Sequence, residues 1–170
     1  NTLTKRLQKI NTFIFDVDGV FTDNSLIVSE TDVSRVFNAR DGYAVQMAAK
    51  AGFRLASITG GKQESLVRRL TGLGIKDVFY NVATDKKLTV FDKYVTANNL
   101  SLESILYMGD DIPDFLLMQK RNVLKVCPSD AVSEVRAIAD VITTAKGGHE
   151  AVREIIELVM KTQDKWLKVF

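Results

Sequence analysis

Short apolar runs alternate with helical periods along the whole chain. Leu3, Leu7 and Ile10 recur at helical spacing and predict a short opening helix, and Phe13-Ile14-Phe15 then predicts a strand over 13–17. Leu55 to Ile58, Val78-Phe79-Tyr80, Ile105 to Met108, Val123 to Val126 and Val141-Ile142 repeat that strand signal. Between them lie helix faces: Ala44, Val45, Ala48 and Ala51, then Leu66, Val67, Leu70 and Leu73, then Leu88, Phe91 and Val95. Ile112, Phe115 and Leu116, then Val132, Val135 and Ile138, and finally Ala151, Val152, Ile155, Ile156 and Val159 continue the series. Gly52 and Gly74 close two of these helices, and Pro113 suits a first turn. Strands alternating with helices imply a parallel sheet covered on both faces by right-handed crossovers. The expected fold is an α/β, Rossmann-like three-layer sandwich.

Residues 24–38 break the alternation. Leu26-Ile27-Val28 and Val33 to Phe37 are strand-like around the turn-prone Ser29-Glu30-Thr31-Asp32, so an inserted β-hairpin is expected there. The stretch 147–170, a Gly147-Gly148 tail with the last helix, is the other part that looks surplus to the sheet. No large cap domain is expected, and 170 residues suit one domain over 1–170. Basic and acidic residues number 23 and 21, a balance that points to neither nucleic acid nor membrane as partner. The single cysteine, Cys127, excludes an internal disulfide framework and reads as a buried thiol. No apolar stretch reaches transmembrane length, and Asn1-Thr2-Leu3-Thr4-Lys5 lacks a signal-peptide core, so a cytoplasmic protein is expected. Trp166 and Phe170 are expected to pack on the body or on another subunit.

The chemistry gathers where strands end. Asp16-Val17-Asp18-Gly19 follows the first strand, and buried strands carry carboxylates only where these have work to do. Thr59-Gly60, Lys86-Lys87 and Gly109-Asp110-Asp111 follow later strands, so all four clusters fall on the rim where open α/β sheets bind ligands. Singly, each reads as a cap, a solvated helix start or a loop. Together they suit phosphoryl transfer, with a carboxylate attacking phosphorus while Mg²⁺, a lysine and a hydroxyl neutralise its oxygens.

These residues resemble the four motifs of the haloacid dehalogenase (HAD) superfamily, in its phosphatase branch. The resemblance implies that Asp16 is the nucleophile and that Asp18 protonates the leaving alkoxide and later activates water. It implies Thr59, Gly60 and a lysine on the phosphate, with Lys87 favoured by spacing and Lys86 as fallback. Asp110, Asp16 and the backbone carbonyl of Asp18 would hold Mg²⁺, oriented by Asp111 or Asp114. Phe37-Asn38-Ala39-Arg40-Asp41-Gly42 and Gly147-Gly148-His149-Glu150-Ala151-Val152-Arg153-Glu154 are similar to the small capless subfamily that dephosphorylates 3-deoxy-D-manno-octulosonate (KDO) 8-phosphate for lipopolysaccharide precursor synthesis. Its members are homotetramers whose hairpins join and whose Gly-Gly tail reaches a neighbouring site, which makes Arg40, Gly148 and His149 candidate substrate contacts. Arg40 could bind the sugar carboxylate through its guanidinium fork, or it could equally pair with a hairpin acid. Gly61 and His149 stand where the subfamily usually has arginine, and 2-keto-3-deoxynononate 9-phosphate is the second choice of substrate. A phosphoacceptor receiver domain fits the motif order poorly, and a non-catalytic oligomerisation module would be expected to have lost Asp16, Asp18 or Asp110.

Overall fold

The computed structural model describes residues 2–169, so the expected packing of Phe170 lies outside the described residues. Helix α1 (Thr2–Gln8) leads into β1 (Thr12–Phe15), and the hairpin follows as β2 (Ile27–Val28) and β3 (Val33–Ser34). Alternation then resumes with α2 (Ala39–Lys50), β4 (Arg54–Ile58), α3 (Glu64–Leu73), β5 (Asp77–Phe79), α4 (Lys87–Ala97) and β6 (Ile105–Met108). The chain closes through α5 (Ile112–Lys120), β7 (Leu124–Cys127), α6 (Ser133–Ile138), β8 (Val141–Ile142) and α7 (Ala151–Thr162). The six-stranded sheet has the order β5-β4-β1-β6-β7-β8 and is parallel throughout. From β1 the chain builds outward to β4 and β5, then returns to β6 on the other side. The crevice beyond β1 and β6 is therefore the topological switch point.

Period-two alternation sorts the strand residues between two cores. Phe13, Phe15, Leu55, Leu106, Met108, Leu124 and Val126 face one cluster, shared with α2, α3 and α7. Ile14, Ala56, Ile58, Ile105, Tyr107 and Cys127 face the other, under α4, α5 and α6. Phe15 packs edge-on against Phe21, with ring centroids 5.2 Å apart, and Phe21 lies 6.1 Å from Phe37. Phe15 and Phe21, both fully buried, contribute about 1.5–3 kcal/mol each relative to exposure, and the half-buried Phe37 less. This row of rings ties the root of the hairpin to the central strand. Among the described residues no helix is long and apolar enough to cross a membrane.

Two expectations need correction. The hairpin exists, but its strands are two residues each, shorter than Leu26–Val28 and Val33–Phe37. They pair only with each other, and an isolated two-stranded ribbon gains little by lengthening. The tail is not surplus either. Ala151, Val152, Ile155, Ile156, Val159 and Met160 of α7 are buried in the core against α2 and α1. Trp166 packs on the same cluster, with the Arg153 guanidinium 5.5 Å from its ring centre.

Asp41 couples α2 to α7. Its Oδ1 accepts the Arg153 N–H at 2.9 Å, while Oδ2 is buried with no hydrogen-bond partner among the described residues. Burial pushes its carboxyl up to about 6, against the backbone hydrogen bonds from Arg153 and Glu150. The folded protein therefore keeps this proton at pH values where the unfolded chain has lost it. Stability from this group is present below about pH 4 and is lost as pH rises through about 6, by at most about 3 kcal/mol. Asp41→Asn should flatten that fall, read from urea midpoints at about pH 4 and about pH 6.5. An unchanged difference between the two midpoints would show that Asp41 carries no such strain.

Candidate active site

Asp16 stands one residue beyond β1, its N–H still bonded to the Met108 carbonyl of β6 at 3.0 Å. The Val17 N–H then folds back onto Asp16 Oδ1 at 2.7 Å, and the chain turns through Gly19 at φ 82°. A Cβ at Gly19 would run into the Asp110 carboxylate, so glycine is required for this approach. Asn24, also left-handed at φ 73°, donates its side-chain amide to Asp110 Oδ2 at 3.0 Å.

Beyond β6, Asp111 caps α5 in a capping box with Asp114. Asp111 is exposed, whereas Asp114 is fully buried. Asp114 Oδ1 accepts the Tyr107 hydroxyl at 2.7 Å and the Lys87 ammonium at 3.1 Å. Its Oδ2 accepts the N–H groups of Asp110 and Asp111, at 2.9 and 3.3 Å. Of the two residues expected to orient the site, Asp114 is the one built into it. Lys87 enters from the first turn of α4, and its Nζ also lies 3.1 Å from Asp16 Oδ2. Lys86, in the 3₁₀ turn before it, is exposed.

The charges are strongly interdependent. Burial and the Asp114 carboxylate raise Asp16 well above the usual carboxylate range, only partly opposed by Lys87. Burial would lower the Lys87 ammonium, but Asp114 and Asp16 outweigh it and hold Lys87 protonated. Asp114 is likewise penalised by burial, yet Lys87 and the donors around it keep it below its ordinary value. Burial, with repulsion from Asp114 and Asp111, pushes Asp110 up to about 7 against the Asn24 hydrogen bond.

Asp16, Asp18, Asn24, Gly60, Thr84, Lys87, Asp110 and Asp111 are among the residues lining a cavity of about 190 Å³. A larger hollow of about 590 Å³ near Asn11, Phe53 and Arg54, at the other end of the sheet, has a single carboxylate, Asp77, in its lining. Thr59 lies buried just behind Gly60, its hydroxyl accepting the Gly61 N–H at 3.1 Å. Asp18 turns its carboxylate to Arg35 of the hairpin, Oδ1 to Nε at 2.7 Å and Oδ2 to Nη2 at 3.2 Å.

The 3-deoxy-D-manno-octulosonate 8-phosphate phosphatase KdsC of Escherichia coli K12 is 32% identical over 161 residues, 94% of this chain and 84% of that protein. The chain belongs to this phosphatase family. A KDO 8-phosphate phosphatase from Moraxella catarrhalis, solved in complex with magnesium, phosphate and KDO, superposes with a TM-score of 0.90 at 31% identity. The match covers 96% of this chain and 93% of that one. The corresponding phosphatase from Yersinia pestis also gives 0.90 at 31% identity, covering 97% and 88%. A HAD superfamily (subfamily III A) hydrolase from Legionella pneumophila superposes with a TM-score of 0.89 at 32% identity, covering 96% and 88%, which extends that superfamily and its fold to this chain. No family model matches the chain.

The donor set fits a magnesium ion such as the Moraxella catarrhalis structure holds. Carboxylate oxygens of Asp16, Asp110 and Asp114 lie within 4.8 Å of one another. The four donors on Asp114 occupy both its oxygens, which leaves Asp16 and Asp110 for a hard cation that completes its shell with water and phosphate oxygen. Three expected substrate contacts fall outside this cavity in their own chain. Arg40 is exposed and pairs with Glu150 at 3.5 Å, not with a hairpin acid. His149 is exposed, and Gly148, at φ 77°, has its N–H on the Val20 carbonyl at 3.2 Å. Gly147 and Gly148 press on the backbone of 19–23, where a Cβ would collide, so they are packed rather than a flexible arm. Arg35, Asn24 and Tyr107 escaped the sequence reading. Only Tyr107 left a signal, as the polar member of a core strand; the others act across folds that spacing does not reveal.

Because Asp110 holds a proton near neutrality and a ligand carboxylate must lose it, Mg²⁺ affinity should rise as pH climbs from about 6 to about 8. Calorimetry in two buffers of different ionisation heat should register the released proton. Affinity that does not change over this range, with no proton released, would show that Asp110 is already ionised before the metal binds.

Proposed function

We propose that this chain is a cytoplasmic, Mg²⁺-dependent phosphatase that hydrolyses KDO 8-phosphate to the free sugar acid and phosphate in lipopolysaccharide precursor synthesis. The observation that carries this reading is Asp16 on the central strand with the Lys87 ammonium 3.1 Å away, in a chain of this family. Asp16 attacks phosphorus, and its new P–O bond forms as the bond to the sugar oxygen breaks. Asp18 gives its proton to that leaving alkoxide. Asp18 then takes a proton from water, whose oxygen attacks phosphorus, and the acyl-phosphate bond breaks to restore Asp16. Lys87, the Thr59 hydroxyl and the Gly60 N–H hold the phosphoryl oxygens. Mg²⁺, when bound by Asp16, Asp110 and the Asp18 backbone carbonyl, supplies further neutralising charge. Asp114 positions Lys87 and the Asp110 loop, and Asp111 caps the helix that carries Asp114.

Phosphate release from a panel of sugar phosphates, with Mg²⁺ and with chelator, tests this directly. Chelation or Asp16→Asn should silence the enzyme while the fold persists, since an amide forms no acyl-phosphate. Asp18→Asn should keep substrate binding and lose about 10²–10⁴-fold in kcat, the usual worth of general-acid catalysis. Metal-independent turnover, or an active Asp16→Asn variant, would overturn the mechanism. Near-normal turnover of an alkyl phosphate by Asp18→Asn would reduce Asp18 to a structural residue.

The assembly that fits this reading is a homotetramer joined by its hairpins. Ile27, Val28 and Val36 are 59, 72 and 70% exposed in the single chain, an apolar ribbon that supports such an interface. Arg40, Gly148 and His149 would then meet the substrate held by a neighbouring subunit. Light scattering should give about four chains per particle. Changing Gly148 and His149 together should raise KM for the sugar-acid phosphate more than it impairs a small generic phosphate. A fully active monomer, or equal losses on both substrates, would rule this arrangement out.

A further inference from the structure

Arg35 is the one guanidinium among the described residues that hydrogen-bonds a site carboxylate. It lies just past β3 on the return leg of the hairpin, two residues before Phe37, whose ring joins the aromatic row rooted in β1. Its side chain is only 7% exposed although the hairpin tip is open to solvent. Two nitrogens grip Asp18, and Nη1 donates to Gln63 Oε1 at 2.8 Å. A Cβ at Gly61 would collide with Leu66 Cδ2 at 2.5 Å and would also press on Arg35 Nη2 at 3.1 Å. The guanidinium thus sits in space that a side chain at 61 would contest.

The proton donor must turn its carboxyl to the leaving oxygen, and in doing so it gives up this bidentate grip. Nη1 keeps Gln63, but Nε and Nη2 would be left unpaired and desolvated, which is costly, so the fork needs a second carboxylate to close on. A sugar-acid phosphate carries one, and the planar fork fits it as it fits Asp18. Arg40 is poorly placed for this within its own chain, being 72% exposed and paired with Glu150. We propose that Arg35 is the carboxylate-reading residue of the site, exchanging the carboxylate of Asp18 for that of the substrate. Recognition of the acid and release of Asp18 toward the leaving oxygen are then one movement. The inference rests on the phosphatase reading above.

Steady-state kinetics of wild type, Arg35→Ala and Arg35→Lys on KDO 8-phosphate and on glucose 6-phosphate test it, with melting curves to verify folding. Arg35→Ala should raise KM for the sugar acid by about tenfold or more, the worth of a charged hydrogen-bonded pair, and leave that for the neutral sugar far less altered. Arg35→Lys, charged but without the fork, should fall between, and added guanidinium should rescue Arg35→Ala on the acid alone. Parallel changes on both substrates, or rescue of both, would show that Arg35 merely braces Asp18 or the hairpin. If the wild type ignores KDO 8-phosphate, the substrate assignment fails. Arg35 is then judged on 3-phosphoglycerate against glycerol 3-phosphate, where an equal effect on the two would overturn it.

Discussion

Three carboxylates, Asp16, Asp110 and Asp114, present oxygens within 4.8 Å of one another at the end of a buried sheet, and little water reaches them. Their mutual repulsion is the constraint on which the rest of the site depends. One ammonium, that of Lys87, lies between two of them, and Tyr107, Asn24 and two backbone N–H groups share the remaining charge. Breaking such a buried set by removing one partner typically costs about 3–5 kcal/mol, so the arrangement persists only because every member is present. The charge left over at Asp16 and Asp110 is what a divalent cation and a phosphoryl group can share.

The fold makes that concentration of charge possible by placing it at the switch point between β1 and β6. There two strands deliver aspartates side by side, and α4 and α5 deliver Lys87 and Asp114 from one layer. The opposite layer does different work. Phe15, Phe21 and Phe37 carry the central strand's packing out to the hairpin, so that Arg35 is delivered from a ribbon otherwise exposed to solvent. Chemistry is supported from one face of the sheet and access to Asp18 from the other.

Much of this was legible in the residues. Alternating apolar runs predicted the parallel sheet, and Asp16, Asp18, Gly60, Lys87, Asp110 and Asp111 fall on one cavity as the strand-end reading required. Spacing favoured Lys87 over Lys86, and the 3₁₀ turn over Thr84–Lys86 leaves Lys86 exposed while Lys87 opens α4 with its ammonium on Asp16. Asp111 and Asp114 were inseparable because both occupy capping positions, and only packing against Tyr107 distinguishes them. In Gly147-Gly148 the sequence cannot separate freedom from close approach, since glycine serves both; here the backbone of 19–23 lies against the pair. Arg35 was invisible because its partner is set by the hairpin folding back, not by any spacing along the chain.

The most direct test is to trap the covalent intermediate. Turnover of a sugar-acid phosphate should be quenched with borohydride, which reduces an acyl-phosphate to the alcohol, and the peptides mapped by mass spectrometry. Homoserine at position 16, requiring both substrate and Mg²⁺, is the expected result. Homoserine at position 110 or 114, or active enzyme that yields none at any position, would contradict nucleophilic attack by Asp16.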